Sequence, residues 1–211
     1  WIWRFDSFTT VKLSLFLFFI DSDMNKTKKN LREFYKNERV KTQKNKLKES
    51  SERIFKMFKK LSVVSKTVFH IYLSNKLSKE IETEKIIKFL LSHNKIIIVP
   101  KIANKELAHY KIEYNSKYQI NKYGIKEPID LPKFDVKKIE VVIIPLLIFD
   151  KDGHRVGYGG GYYDKFLTNL KSNTIKIGLS LFEPVNKIQD IKKHDIKLDK
   201  VITPETIYEF Y

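Results

Sequence analysis

Residues 140–167 read "EVVIIPLLIFDKDGHRVGYGGGYYDKFL". The stretch opens on an unbroken apolar run, 140–150, of the kind that suits a strand buried on both faces of a parallel sheet. Pro145 removes a ladder donor and predicts an irregularity within that run. Five of the chain's seven glycines (Gly153, Gly157, Gly159, Gly160, Gly161) then fall within thirteen positions. Tyr162, Tyr163, Phe166, Leu167 and Leu170 follow on one helical face. The order is buried strand, glycine-rich turn, helix.

The same alternation extends to both sides. Upstream, "TVFHIYL" (67–73) predicts a strand, "EKIIKFLLSH" (84–93) a helix capped by Thr83, and "KIIIVP" (95–100) a second strand. Strand, helix, strand over some thirty residues is a βαβ unit with a parallel pair and a right-handed crossover. "LAHYKIE" and "KYQIN" read as an antiparallel excursion ending at "YGIKEP". Downstream, "TIKIGLSL" (174–181) predicts a further strand and "KLDKVIT" (197–203) a last one. Between Asn25 and Lys60 the apolar spacing predicts two N-terminal helices, parted near Val40–Lys44 with Thr42 as N-cap of the second. The fold class is α/β: three layers, with a mostly parallel sheet flanked by helices.

At 211 residues the chain suits one domain, expected to run from 24 to 211. The first methionine is Met24, and "WIWRFDSFTTVKLSLFLFFIDSD" lacks both the length of a membrane span and the basic start and small-residue site of a secretory signal. Residues 1–23 are therefore expected to be a non-native or disordered extension. There are no cysteines, which removes disulfides, thiolate metal sites and cysteine nucleophiles and suits the cytoplasm. The five histidines are scattered, with none at i, i+4. Net charge is +16, so a basic RNA-binding protein on an α/β scaffold is the alternative function class. Against it, lysine outnumbers arginine 36 to 5, which points to codon drift. In such a chain each remaining arginine marks a place that needs a planar, bidentate fork, and Arg155 stands inside the glycine cluster.

In an open parallel sheet, ligands collect beyond the carboxyl ends of the strands. Glycines there let main-chain amides close around an anion without interference from a Cβ, and a helix N-terminus adds partial positive charge. The cluster therefore predicts a phosphate site. It is neither a Walker loop, since GxxxxGK[ST] is absent, nor GxGxxG, since position 162 is tyrosine. Asp164, one turn into the helix, is placed to hold Mg²⁺ on a bound nucleotide.

These residues resemble the signature of the 5-formyltetrahydrofolate cyclo-ligase family, also called 5,10-methenyltetrahydrofolate synthetases. "KKNLR" (28–32), "EIETEKII" (80–87), "YGIKEP" (123–128) and "HDIKLDKVIT" (194–203) resemble its other elements in the same order. The resemblance implies ATP- and Mg²⁺-dependent closure of 5-formyltetrahydrofolate to 5,10-methenyltetrahydrofolate, with release of ADP and phosphate. It implies a catalytic role for Lys28, Arg32 and Arg155. ATP would be bound by Lys28, Lys29, Asn30, Leu31 and Arg32 and by Arg155, Val156, Gly157, Tyr158, Gly159, Gly160, Gly161, Tyr162 and Tyr163. The folate would be bound by Arg32, Leu73, Glu80, Tyr158, Gly159, Gly160, Gly161 and Tyr162, with Glu80 accepting from its ring N–H and amino groups. Asp164 and Asp195 would hold the metal. The partner is then a small molecule, whose polyglutamylated forms the basic surface is expected to attract; neither nucleic acid nor a membrane is expected. Glu127 is left without a role, and the sequence sets no oligomeric state.

Overall fold

The computed structural model describes residues 26–103, 106–121, 124–129 and 131–210; the expected extension 1–23 lies outside them. Helices α1 (Lys28–Lys41) and α2 (Lys44–Phe58) come first. Their lysine-rich sequences leave narrow apolar stripes, which bury Leu31 in α1 and Leu47, Ile54 and Phe58 in α2. Thr42, expected as the N-cap of α2, instead closes α1. Its hydroxyl donates to the Glu38 carbonyl at 3.2 Å and Gln43 takes the cap position. An unpaired carbonyl in the last turn of a helix is the stronger demand on a neighbouring hydroxyl.

Strand β1 (Val68–Ile71), helix α3 (Glu84–Ser92) and strand β2 (Ile96–Ala103) form the expected βαβ unit, with the strands parallel and His70 opposite Ile98. Thr83 precedes α3, but its hydroxyl donates to the Tyr72 carbonyl at 2.7 Å and does not cap the helix. The excursion is antiparallel, as read: β3 (Glu106–Ile112) pairs with β2, and β4 (Tyr118–Ile120) with β5 (Lys126–Pro128). The apolar run does not continue as one strand. It gives β6 (Val141–Pro145), then a separate hairpin of β7 (Ile148–Phe149) and β8 (Arg155–Val156). Gly153 belongs to that hairpin's turn, at φ +85°, where a Cβ would stand 2.8 Å from the Phe210 ring. It is a packing glycine, so four glycines remain for the loop that follows. After α4 (Tyr162–Leu167) come β9 (Ile175–Leu179), β10 (Lys200–Ile202) and β11 (Ile207–Glu209), one strand more than the sequence predicts.

The main sheet runs β11-β10-β9-β6-β1-β2-β3. Its inner five strands are parallel and each edge strand is antiparallel. Counting the parallel strands alone, the spatial order is 2-1-3-4-5, so the winding reverses between β1 and β6. Such a reversal opens a crevice at the carboxyl ends.

Period-two alternation assigns the faces. Val141 and Ile143 pack with Phe58, Ile86 and Leu90 from α2 and α3, whereas Val142 and Ile144 pack with Phe166 and Leu167 from α4. Each such side chain contributes about 1.5–3 kcal/mol of burial, so both faces are committed and register is fixed. The second helical layer is thin, six residues of α4 beside the β7–β8 hairpin. A third apolar cluster, Leu31, Ile148, Val156 and Ile188, docks α1 on that hairpin.

Candidate active site

Beyond the carboxyl ends of β1 and β6 lies a cavity of about 610 Å³. Tyr72 and Leu73 follow β1 into it, and Pro100 and Pro145 line it from β2 and β6. One wall is the loop Gly157–Gly161. Gly159 and Gly161 have φ of +103° and +67°, a backbone that side chains with a Cβ rarely adopt. At Gly159 a Cβ would also press on the Arg32 guanidinium, 3.2 Å from Nε. Arg32 Nε donates to the Gly157 carbonyl at 3.0 Å, so α1 holds the loop from behind. Because α4 has only six residues, its dipole is small, and the attraction for an anion comes mainly from side-chain cations.

Those cations are Lys28, Lys29, Arg32, Lys101, Arg155 and Lys192. Arg155, with 6% of its side chain exposed, donates to Asp164 Oδ1 at 2.7 Å and to the Ile196 carbonyl. Lys28 donates its main-chain N–H to Asp190 Oδ1 at 2.6 Å and pairs through its ammonium with Asp195. Burial works against ionisation of Asp195. The Lys28 ammonium and the Lys192 N–H, 2.5 Å from Oδ2, nevertheless hold its carboxyl below the usual range. The two expected metal carboxylates are thus each seated beside an expected phosphate-binding cation.

In the same cavity, Glu80 accepts the Asn75 N–H at 2.7 Å, with the Tyr158 phenol nearby. Burial raises its carboxyl pKa, and the Asn75 N–H, the Arg39 charge and Tyr158 counter that rise. The Tyr158 and Tyr163 phenols are pushed up, first by burial and then by the Glu80 charge.

The cavity brings together Lys28, Lys29, Arg32, Leu73, Glu80, Arg155, the run Gly157–Tyr163, Asp164 and Asp195. It does not take in Asn30, Leu31 or Val156. The side chains of Leu31 and Val156 are buried, each 1% exposed, in the cluster under α1. They shape the site by packing.

A family model for 5-formyltetrahydrofolate cyclo-ligases matches residues 24–204. The chain belongs to the 5-formyltetrahydrofolate cyclo-ligase family. It is 30% identical over 145 residues to a probable 5-formyltetrahydrofolate cyclo-ligase of Schizosaccharomyces pombe, covering 61% of this chain and 71% of the relative. It is 28% identical over 141 residues to the 5-formyltetrahydrofolate cyclo-ligase of Escherichia coli K12, covering 62% and 75%. Among solved structures, the 5,10-methenyltetrahydrofolate synthetase of Aquifex aeolicus shares the fold at a TM-score of 0.75 and 22% identity, over 86% of this chain and 92% of that one. The protein is therefore an enzyme, a ligase of folate metabolism, on an α/β fold with a mostly parallel sheet, as the sequence predicts.

Sequence reasoning on this cyclo-ligase family member missed Tyr72, Asn75, Lys101, Asp190, Lys192 and His194, all of which line the cavity. Asp190 meets Lys28 across 162 positions, and no local pattern signals such a contact. Glu127, left without a role, also lines the cavity; it accepts Asn121 Nδ2 at 2.7 Å and stands 3.5 Å from Lys101 Nζ. Arg39 lies behind the wall, 2% exposed; the scarcity of arginine was its only signal.

Away from the cavity, Asp150, Asp152 and His154 place potential metal-ligand atoms within 4.8 Å of one another. Asp150, however, already accepts the N–H groups of Asp152, His154 and Ile188 at 3.1, 2.8 and 3.1 Å, and so closes the hairpin turn. Among the described residues, the exposed large hydrophobics include two aromatics, Tyr114 and Tyr118. No described helix is long and apolar enough to cross a membrane.

Proposed function

We propose that this chain, with residues 24–211 acting as one cytoplasmic α/β domain, uses ATP and Mg²⁺ to convert 5-formyltetrahydrofolate to 5,10-methenyltetrahydrofolate, ADP and phosphate. The γ-phosphoryl group passes to the formyl oxygen as its bond to the β-phosphate oxygen breaks. The N10 lone pair then attacks the formyl carbon, N10 gives up its proton, and the C–O bond breaks with its electron pair leaving on phosphate. Phosphoryl transfer of this kind needs positioning and charge stabilisation more than a protein nucleophile.

The residues present suit that task. Lys28, Arg32 and Arg155 converge with the open main chain of 157–161, a donor set for triphosphate oxygens and for the oxyanion of the transferring group. Glu80, oriented by the Asn75 N–H, offers an acceptor for the folate ring system, and Leu73 and Tyr162 line the same cavity. Asp164 and Asp195 are oxygen donors of the kind Mg²⁺ takes, and each lies next to a phosphate-binding cation. Bound there, the metal would neutralise charge on the phosphates. The observation that carries this reading is that five separated segments of sequence, each resembling one cyclo-ligase element, supply residues to a single cavity at the strand-order reversal. The test is an ATP-dependent rise in the near-ultraviolet absorbance of the methenyl product with purified protein; no rise with both substrates present overturns it.

A further inference from the structure

We infer that Arg39 is a positioning residue that ties the nucleotide loop to the folate acceptor, because its guanidinium holds the Tyr158 phenol in the cavity that Tyr158 shares with Glu80. The inference rests on the proposed reading of the cavity as an ATP and folate site. It adds a member that touches neither ligand.

Arg39 sits in the last turn of α1 and is almost wholly buried. NH1 donates to the Tyr158 hydroxyl at 2.5 Å and NH2 to the Leu146 carbonyl at 2.7 Å. A guanidinium can only donate, so the phenol oxygen is the acceptor on that side. Its own proton is left free to turn toward a second acceptor. Arg39 thus joins α1 to the glycine loop, and Tyr158 shares its cavity with Glu80 from the segment after β1. One arm of the fork grips the loop and the other the main chain just after β6. Lysine, a single point charge, lacks the fork that reaches both.

The energetic role follows from burial. A carboxylate out of water is driven toward its neutral form, and protonated Glu80 loses acceptor capacity needed by a ligand N–H. The groups facing it are Arg39 from α1, Tyr158 from the loop, Tyr72 from the end of β1, Tyr163 from α4 and the Asn75 N–H. Of these side chains, Arg39 carries positive charge and Tyr158 brings a phenol near the carboxylate. Both favour ionised Glu80. Removing either link lets the carboxyl take a proton at higher pH.

Two measurements test this on Arg39→Lys and Tyr158→Phe, the second variant breaking the same contact should the first fail to fold. The Glu80 carboxyl carbon, assigned by its loss in Glu80→Gln, is followed by NMR against pH. It titrates at higher pH in both variants than in the parent. Steady-state kinetics supply the other readout: kcat/KM for the folate falls about tenfold more near pH 6 than near pH 8, and the double variant is no worse than the poorer single one. An unmoved Glu80 titration overturns the inference, as does a loss that is uniform with pH and additive. If the parent itself makes no methenyl product while the Glu80 titration moves as described, the proposed function fails and the positioning role of Arg39 stands.

Discussion

His70 on β1 and His109 on β3 make a titration that acid should expose as lost stability. His109 Nδ1 lies 3.2 Å from His70 Nε2, so one ring donates and the other accepts. Both rings pack against Phe166. Burial drives the His70 pKa well below its usual value, and the nearby His109 lowers it further. Burial alone pushes His109 down from 6.5 to about 4. The folded-state pKa is therefore depressed: between about pH 6.5 and pH 4 the unfolded chain binds more protons, and stability falls as pH falls through that window. For His109 the ceiling is about 3.4 kcal/mol, from 1.36 kcal/mol per pH unit. Roughly 2 kcal/mol of it is spent by pH 5, and partial exposure of the ring reduces that to about 1–2 kcal/mol. The perturbation is His109→Gln, which keeps a neutral hydrogen-bonding group toward His70 and removes the titration. Urea unfolding of parent and variant at pH 7 and at pH 5 gives two stability differences. Carboxylate titrations are common to both chains and cancel. The parent should lose about 1–2 kcal/mol more than the variant on going to pH 5, equivalent to a few degrees in Tm. Parallel losses in the two chains would refute the claim that this ring is held neutral by burial.

Arg155→Lys, measured as kcat/KM with both substrates, should cost about a hundredfold despite the conserved charge, since one ammonium cannot hold both Asp164 and the Ile196 carbonyl in place; parental kinetics would remove Arg155 from the site. Asp164→Asn should slow turnover and raise the Mg²⁺ concentration needed for half-maximal rate, and an unchanged Mg²⁺ dependence would show that the carboxylate serves only as the partner of Arg155. Gly178→Ala places a Cβ 2.8 Å from Leu198 Cδ1 and 3.1 Å from Val201 Cγ2, with Leu146 closer still. Thermal unfolding should report a loss of about 1–3 kcal/mol, and an unchanged Tm would mean that these side chains yield freely. With a net charge of +16, KM for polyglutamylated folate should lie below that for the monoglutamate at low salt and converge with it at high salt; equal values at low salt would exclude steering by the lysines.

Local pattern carried the fold as far as each element buries one face against another. The βαβ unit was legible because Val68–Ile71 and Ile96–Ala103 are short β-branched runs on either side of a helix with a 3.6-residue period. The break after Pro145 was legible only as an irregularity. Leu146, Leu147, Ile148 and Phe149 are buried in their own right, 0–1% exposed, so the apolar run shows no change in period where the strand ends and the hairpin starts. Gly153 looked like its neighbours in the glycine cluster because composition does not separate a glycine needed for a turn against Phe210 from one needed beside a ligand. The final strand, Ile207–Glu209, pairs along an edge and buries none of its three residues fully, which leaves little apolar signal. In the site, the residues inside recognisable segments were found. Asp190 and Lys192, on an irregular stretch with no period at all, were not.

The arginines connect these observations. Of the five, Arg4 lies outside the described residues, and Arg53 makes an exposed pair with Glu205, the sort of contact worth at most about 1 kcal/mol. The other three surround the cavity, and each donates to a main-chain carbonyl: Arg32 to Gly157, Arg39 to Leu146, Arg155 to Ile196. Those carbonyls belong to irregular backbone beyond strand ends, where no ladder satisfies them. Arg39 and Arg155 use the same planar group to hold a second acceptor, Tyr158 and Asp164. A lysine ammonium serves the charge equally well but does not fix a carbonyl and a side chain in one plane. Lysine could therefore spread over the rest of the surface at little cost, while arginine persists where one side chain must brace irregular backbone and orient a polar partner together. By that argument Arg32, whose guanidinium lies against Gly159 with one carbonyl contact, is the arginine with most of its fork left for a ligand. Arg32→Lys should therefore raise KM for ATP more than it lowers Tm, and Arg39→Lys the reverse.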